Sequence, residues 1–113
     1  MANRHSPLWS AIEITGEGWG GLLEAAAVFA PAEHVNQVYL RGLLTTPTFV
    51  GETVIGTLPA ELRPSKATYF NGVEVPQSGS LNTWRIDPNG NIVSMSLGSR
   101  HTISLDTVSF LSA

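Results

Sequence analysis

The sequence has 113 residues and a mass of 12.1 kDa, with 42% hydrophobic and 13% charged residues. This length fits one domain, and the charged share lies below the roughly 25% typical of soluble domains. Six basic residues stand singly against nine acidic ones, which gives a net charge of −3. Because a protein that neutralises several phosphates needs clustered Lys and Arg, nucleic acid is not an expected partner.

The sequence contains no cysteine, which excludes a disulfide framework, a thiolate metal site and a cysteine nucleophile. The first seven residues lack the apolar run of a signal peptide. The longest uncharged apolar run, Ala25–Pro31, is far shorter than the roughly 20 residues that span a bilayer. No membrane partner is therefore predicted. The abundance of Ser, Thr and Gly favours a surface that packs in an assembly.

Apolar residues repeat with period two in short runs that end at turn residues, a pattern typical of an all-β fold. The last part of the chain, from Ser99 to Leu111, accounts for one or two strands. The other predicted strands, in chain order, are Trp9–Ile14, Val35–Leu44, Thr53–Leu58, Lys66–Val75 and the two arms of a hairpin within Thr83–Met95.

That hairpin, Thr83–Met95, is the strongest local signal. Pro88 sets the φ angle for a type I turn, and Gly90 is suited to the left-handed position that closes it. The resulting register places Ile86 opposite Ile92.

One segment favours a different structure. Leu22–Ala30 consists of good helix formers, so intrinsic propensity favours a helix. It spans only about two turns before Pro31, and helices this short are marginal without packing. From composition alone, strand and helix remain equally open for residues 22–30.

The glycine-rich stretch Gly16–Gly21 formally matches the dinucleotide-binding pattern G-x-G-x-x-G. That function requires a βαβ unit and a larger parallel sheet, whereas the sequence after Pro31 predicts strands joined by turns. We therefore expect a glycine-rich connection, and no cofactor.

Candidate catalytic and metal-binding residues form no set. On an extended strand, His101 lies on one face and Ser104 and Asp106 on the other, which excludes a hydrolase triad. His5 and His34 have no second histidine at metal-ligand spacing. The sequence predicts no catalytic residue and no metal site.

Three tryptophans, Trp9, Trp19 and Trp84, are the candidate binding aromatics. Such rings stack on sugars or form a subunit interface, and in a small domain they also build the core.

Several motifs follow one another along the chain, spread over residues 9 to 111. They are Trp9, Gly18–Trp19, the V-x-L-x-G strand Val38–Gly42, the turn Gly51–Pro64, the hairpin tip Asp87–Gly90 and the closing Ser104–Phe110. In their order and spacing they resemble a bacteriophage virion-surface module found in tail-fibre tips, minor tail proteins and capsid decoration proteins. Glu61 departs from the pattern, because a glycine is usual there.

The resemblance implies a jelly-roll-like antiparallel β-sandwich that assembles as a homotrimer on the virion surface. It favours a strand over residues 22–30. Arg63 is expected to hold nearby carbonyls or a carboxylate. The residues that it places in the core are Ile55, Leu58, Phe70, Ile86, Leu105 and Phe110.

The function that the resemblance implies is a non-enzymatic virion structural protein, a trimeric decoration or minor structural protein bound to major capsid or tail proteins. The alternative is an adhesin at a tail-fibre tip that recognises host cell-wall glycan. Residues 8–113 form the expected domain, and residues 1–7 an N-terminal arm. We expect that arm, with Asn3, Arg4 and His5, to dock on the virion.

Overall fold

A computed structural model of the chain describes residues 9–47, 52–75, 81–95, 102–106 and 108–112. These residues contain no α-helix, and no helix among them is long and apolar enough to cross a membrane. Their regular elements are β1 (Ser10–Ala11), β2 (Gly20–Ala30), β3 (Val35–Thr45), β4 (Thr53–Thr57), a 3₁₀ turn (Ala60–Leu62), β5 (Thr68–Val75), β6 (Leu81–Ile86), β7 (Asn91–Ser94), β8 (Thr102–Ser104) and β9 (Ser109–Leu111).

The strands pair antiparallel in the order β1-β2-β3-β8-β5-β6-β7-β4, and β9 pairs with β3 alongside β8. The two ends of this order meet. The amides of Thr15 and Gly16, just after β1, both donate hydrogen bonds to the carbonyl of Ile55 in β4, at 2.7 and 3.2 Å. The sheet therefore curls around one core, which confirms the predicted all-β, jelly-roll-like sandwich.

The core consists of inward-facing side chains from both halves of the curled sheet. Most of the predicted core residues are buried, and Phe70 is partly buried and packs against the others. The predicted residues that are buried are Ile55, Leu58, Ile86, Leu105 and Phe110.

The segment from Leu22 to Ala30 is a strand. All eleven residues of β2 pair with β3, from Gly20 opposite Thr45 to Ala30 opposite Val35. This pairing places Leu23 in the core, where it is 1% exposed. Packing against β3 thus overrides the helix propensity of a segment too short to form a stable helix alone.

The turn of the predicted hairpin is confirmed. Gly90 has a φ of 92°, and its amide donates to the Asp87 carbonyl at 2.8 Å. Ile86 lies opposite Ile92, and Trp84 opposite Ser94.

The predicted strand 9–14 is shorter than expected. Only Ser10 and Ala11 pair as β1, although Ile12 continues the contact with an amide bond of 2.8 Å to the Leu23 carbonyl. Residues 16–19 form a turn, with a 3.0 Å hydrogen bond from the Trp19 amide to the Gly16 carbonyl, and Gly20 and Gly21 begin β2. No helix N-terminus follows the glycine-rich stretch, so the dinucleotide pattern has no structural basis.

Arg63 holds a nearby carbonyl in the segment after β4, as the resemblance implied. Pro59 opens the 3₁₀ turn, and Arg63 Nε donates a 2.8 Å hydrogen bond to the carbonyl of Leu58. The boundary between the arm 1–7 and the domain 8–113 stays a prediction, because residues 1–8 lie outside the described part.

Candidate functional site

The three candidate aromatics separate into two groups. Trp84 is fully buried and Trp19 is 8% exposed. Their rings form a T-shaped pair with centroids 5.8 Å apart, and Phe70 stacks on Trp84 at 6.1 Å. A sugar cannot stack on a buried ring, so glycan contact is wrong for Trp19 and Trp84, which form part of the core.

Trp9 lies differently. Its side chain is partly exposed, and the guanidinium carbon of Arg41 lies 3.9 Å from the centroid of its ring. This is cation–π geometry, because the positive guanidinium meets the negative face of the indole. Of the three tryptophans, Trp9 is the one that contributes to a polar surface.

Arg41 also pairs with Glu24, directly opposite it on β2. Its Nε donates to Glu24 Oε1 at 2.8 Å, with the arginine side chain 46% exposed and the glutamate 20%. The charge is thus held in place from two sides, by a carboxylate and by an aromatic ring. Part of the guanidinium still faces solvent and can donate hydrogen bonds to a ligand.

Two leucines lie next to this pair on the same outer surface. Leu22 and Leu43 are opposite each other in the β2–β3 ladder and are 55% and 49% exposed. Together with Trp9, Glu24 and Arg41 they form what we call the Arg41 face.

A shallow groove of about 290 Å³ runs along the Arg41 face. Its lining combines the two exposed leucines with the Glu24–Arg41 pair, Gly42 and Asp106. The surface exposed in the groove is almost entirely apolar, which suits the C–H face of a ligand such as a sugar ring. The exposed part of Arg41 beside it can donate to the hydroxyl groups of such a ligand.

Gly42 positions Asp106 in the lining of the groove. Gly42 has a φ of 150°, and a Cβ added there would collide with the backbone carbonyl oxygen of Leu22. Its amide donates to Asp106 Oδ1 at 2.8 Å, and its carbonyl accepts from the Leu105 amide at 3.0 Å. The backbone of β3 therefore holds the turn between β8 and β9 beside the groove.

The candidate hydrolase residues take part in this turn. Ser104 Oγ accepts a hydrogen bond from the Asp106 amide at 3.3 Å, while the Asp106 carboxylate binds Gly42. His101 lies outside the described residues, as do His5, Asn3 and Arg4 of the predicted docking arm. Within the described ranges, no group of three His, Asp or Glu side chains is arranged to hold a metal ion.

A second charged cluster lies on the outer face of the other half of the sheet. Arg85 Nε donates to Asp87 Oδ1 at 2.7 Å and Nη1 donates to Glu52 Oε2 at 3.3 Å. The hydrogen bonds to Asp87 and Glu52 raise the pKa of the Arg85 guanidinium above its usual value. This cluster ties the β6–β7 turn to the chain before β4.

Sequence reasoning identified Trp9 but missed Glu24, Arg41 and the leucines. The alternation Tyr39, Arg41, Leu43 already assigns these three side chains to one face of a strand. Their partners on β2 were hidden, because composition left residues 22–30 open between helix and strand.

The fold and this surface define a small antiparallel β-sandwich with a groove on one outer face. Comparison with solved structures gives a match to the receptor binding protein (gp15) of Listeria phage PSA, with a TM-score of 0.79 and 18% sequence identity. The match covers 96% of this chain and 66% of that chain, so the present chain shares the fold of part of that protein. No protein-family model and no curated protein matches the sequence.

Proposed function

We propose that this chain is a bacteriophage virion-surface protein that binds a receptor on the host cell and catalyses no reaction. The observation that carries the proposal is the fold shared with a phage receptor binding protein over nearly the whole chain. The resemblance of the ordered sequence motifs to phage surface modules supports the same class independently.

The Arg41 face is the proposed receptor contact, and a saccharide the proposed ligand. Leu22 and Leu43 offer apolar carbons to a sugar ring, Arg41 offers hydrogen-bond donors and Glu24 an acceptor. Because the ion pair and the Trp9 ring hold Arg41 in one position, little side-chain entropy is lost when a ligand binds.

The test is binding of the purified, fluorescently labelled protein to host cells and to a glycan array. Arg41→Met is expected to reduce binding at least tenfold, because one charged hydrogen-bonding group contributes about 1.5–3 kcal/mol. Arg85→Gln removes the same charge from the opposite half of the sheet and is the matched control. Equal loss in both variants, or none in Arg41→Met, contradicts the assignment of this face.

The proposed assembly is a homotrimer, as the resemblance implies. The end of the β2–β3 hairpin supports contact with other subunits, because it exposes apolar side chains on both faces of the ladder. Val28 and Tyr39 are 42% and 40% exposed on one face, and Phe29 is 57% exposed on the other. Exposed apolar surface of this kind marks protein interfaces. Light scattering should give three times the chain mass of 12.1 kDa. Phe29→Asp should shift the measured mass toward that of a single chain. A monomeric wild-type protein at high concentration contradicts the trimer.

The same apolar end favours the second candidate, a decoration or minor structural protein bound to major capsid or tail proteins. Purified protein added to undecorated capsids and to isolated tails separates the two functions. Saturable binding to capsids without binding to cells supports decoration, and the reverse supports receptor binding. Deletion of residues 1–7 tests whether the arm is the dock, since unchanged capsid occupancy would contradict it.

A further inference from the structure

β3 and β5 are joined through β8 over part of their length and separate beyond it. Ser104 of β8 pairs with Leu43 on one side and with Val73 on the other, so β8 joins β3 to β5. Further along, β9 pairs with β3, while residues 68–72 of β5 pair with β6 but not with β8. Two strand edges diverge here, and a cleft of about 430 Å³ opens between them.

The lining of this cleft has one positive charge and no carboxylate among the described residues. Lys66 lies at the cleft, with hydroxyl groups from both strand edges and an apolar side chain from β9 beside it. The lining residues are Pro64, Ser65, Lys66, Thr68, Ser109, Phe110 and Leu111.

Lys66 is the only lysine in the sequence. In the part of the chain that the structure describes, no acceptor binds its ammonium group. The described arginines differ, because Arg41 and Arg85 are paired with carboxylates and Arg63 binds the Leu58 carbonyl. In a chain with a net charge of −3, this leaves Lys66 as a described cation available to an external anion.

The three hydroxyl groups in the lining of the cleft have different roles. Thr68 Oγ1 donates to the Lys66 carbonyl at 3.2 Å, which holds the backbone of the lysine against the start of β5. The hydroxyls of Ser65 and Ser109 are exposed on either side of the cleft. Hydroxyl donors beside a lysine bind phosphate and carboxylate oxygens, and they also bind hydroxyl groups on the carbons that carry the anion.

We infer that this cleft binds an anionic group, a phosphate or a carboxylate, carried on a polyol or a sugar. The ammonium of Lys66 binds the anionic oxygens, and Ser65 and Ser109 bind the neighbouring oxygens. Leu111 contacts the carbon chain. The site is separate from the Arg41 face and requires neither the trimer nor the proposed receptor contact.

The absence of any second lysine makes a direct test possible. Reductive methylation with ¹³C-formaldehyde keeps the positive charge and labels two groups, Lys66 Nζ and the N-terminal amine. Titration with glycerol 3-phosphate or glucuronate should shift the Lys66 signal saturably and leave the N-terminal signal in place. Glycerol and glucose, which lack the anion, should shift neither. Comparison of the two anionic ligands shows whether phosphate or carboxylate is preferred.

Two variants complete the test. Ser109→Ala keeps the lysine signal and should weaken binding of the preferred anion about three- to tenfold, whereas Arg85→Gln, at a cation outside the cleft, should leave it unchanged. Equal shifts with sodium chloride, or equal shifts of both labelled amines, would show non-specific ion binding and overturn the proposal. Failure of Arg41→Met to affect cell binding bears on the proposed function alone, because this titration uses no cells.

Discussion

The amide of Gly42 donates a 2.8 Å hydrogen bond to Asp106 Oδ1 across 64 positions of sequence. Next to it, the Leu105 amide donates to the Gly42 carbonyl at 3.0 Å. One residue of β3 therefore fixes the turn between β8 and β9, and with it the point at which the sheet divides.

Removal of the carboxylate should loosen this turn. Asp106→Ala is expected to lower the free energy of unfolding by about 1–2 kcal/mol, because a charge-assisted hydrogen bond to a backbone amide is lost at an exposed site. Urea unfolding followed by tryptophan fluorescence measures the change. Glu17→Ala, at an exposed carboxylate in the loop before β2, is the control and should change stability by less than about 0.5 kcal/mol. Equal effects of the two substitutions would contradict the role of Asp106.

The glycine itself should be more sensitive than the carboxylate. Gly42→Ala is expected to cost about 3 kcal/mol, because its positive φ strains an L-residue and the new Cβ meets the Leu22 carbonyl oxygen. Gly20→Ala is the matched control in the paired strand. Its Cβ would meet Thr45 Oγ1 at 3.0 Å, a side-chain atom that can move, so its cost should be much smaller. The same urea series measures both, and similar costs would show that the close approach at Gly42 is relieved by movement of β2.

The β6–β7 hairpin was predictable from sequence because its determinants are local. Pro88 and Gly90 specify the turn by their own backbone preferences, and the turn then sets Ile86 opposite Ile92. In contrast, β2 depends on a partner. Its alanines favour a helix in isolation, and only the ladder with β3 makes it a strand.

The candidate site shows the same limit. Arg41 could be placed on the outer face of a strand from the alternation around it. Its pairing with Glu24, 17 residues earlier, depends on the register between two strands. That register is set by the turn at 31–34 together with the burial of one face of the ladder, and neither is visible at Arg41 itself. Burial of Trp84 beneath Phe70 and Trp19 likewise results from contacts between distant strands. No local pattern distinguishes such a core tryptophan from a binding one.

Ser94 presents a buried hydroxyl in this core. It lies opposite Trp84 and is fully buried, and its Oγ has no hydrogen-bond partner among the described residues. Ser94→Ala is expected to leave stability unchanged or to raise it by up to about 1 kcal/mol, because an unpaired buried polar group is removed. Ser112→Ala is the contrast, since Ser112 Oγ accepts from the Asn36 amide at 3.2 Å.

Thermal unfolding should show a loss of stability for Ser112→Ala and no loss for Ser94→Ala. Ser112→Ala is expected to cost about 1 kcal/mol, because it leaves the Asn36 amide without its acceptor. A cost of this size for Ser94→Ala as well would show that the Ser94 hydroxyl has a bonding partner in solution.

The turn between β2 and β3 offers a stabilising substitution. His34 has a φ of 59°, and it is the non-glycine residue with positive φ in the described chain. Its amide donates to the Ala30 carbonyl at 2.9 Å, so the backbone conformation closes the hairpin, whereas the exposed side chain contributes little. His34→Gly is expected to raise the free energy of unfolding by about 0.5–1 kcal/mol, because glycine adopts the left-handed conformation without steric cost.

Glu33→Gly, one residue earlier, is the control and should destabilise the protein, since it adds chain entropy to the unfolded state and relieves no strain. Thermal unfolding distinguishes the two, and a loss of stability in both would show that the His34 side chain makes a favourable contact in this turn.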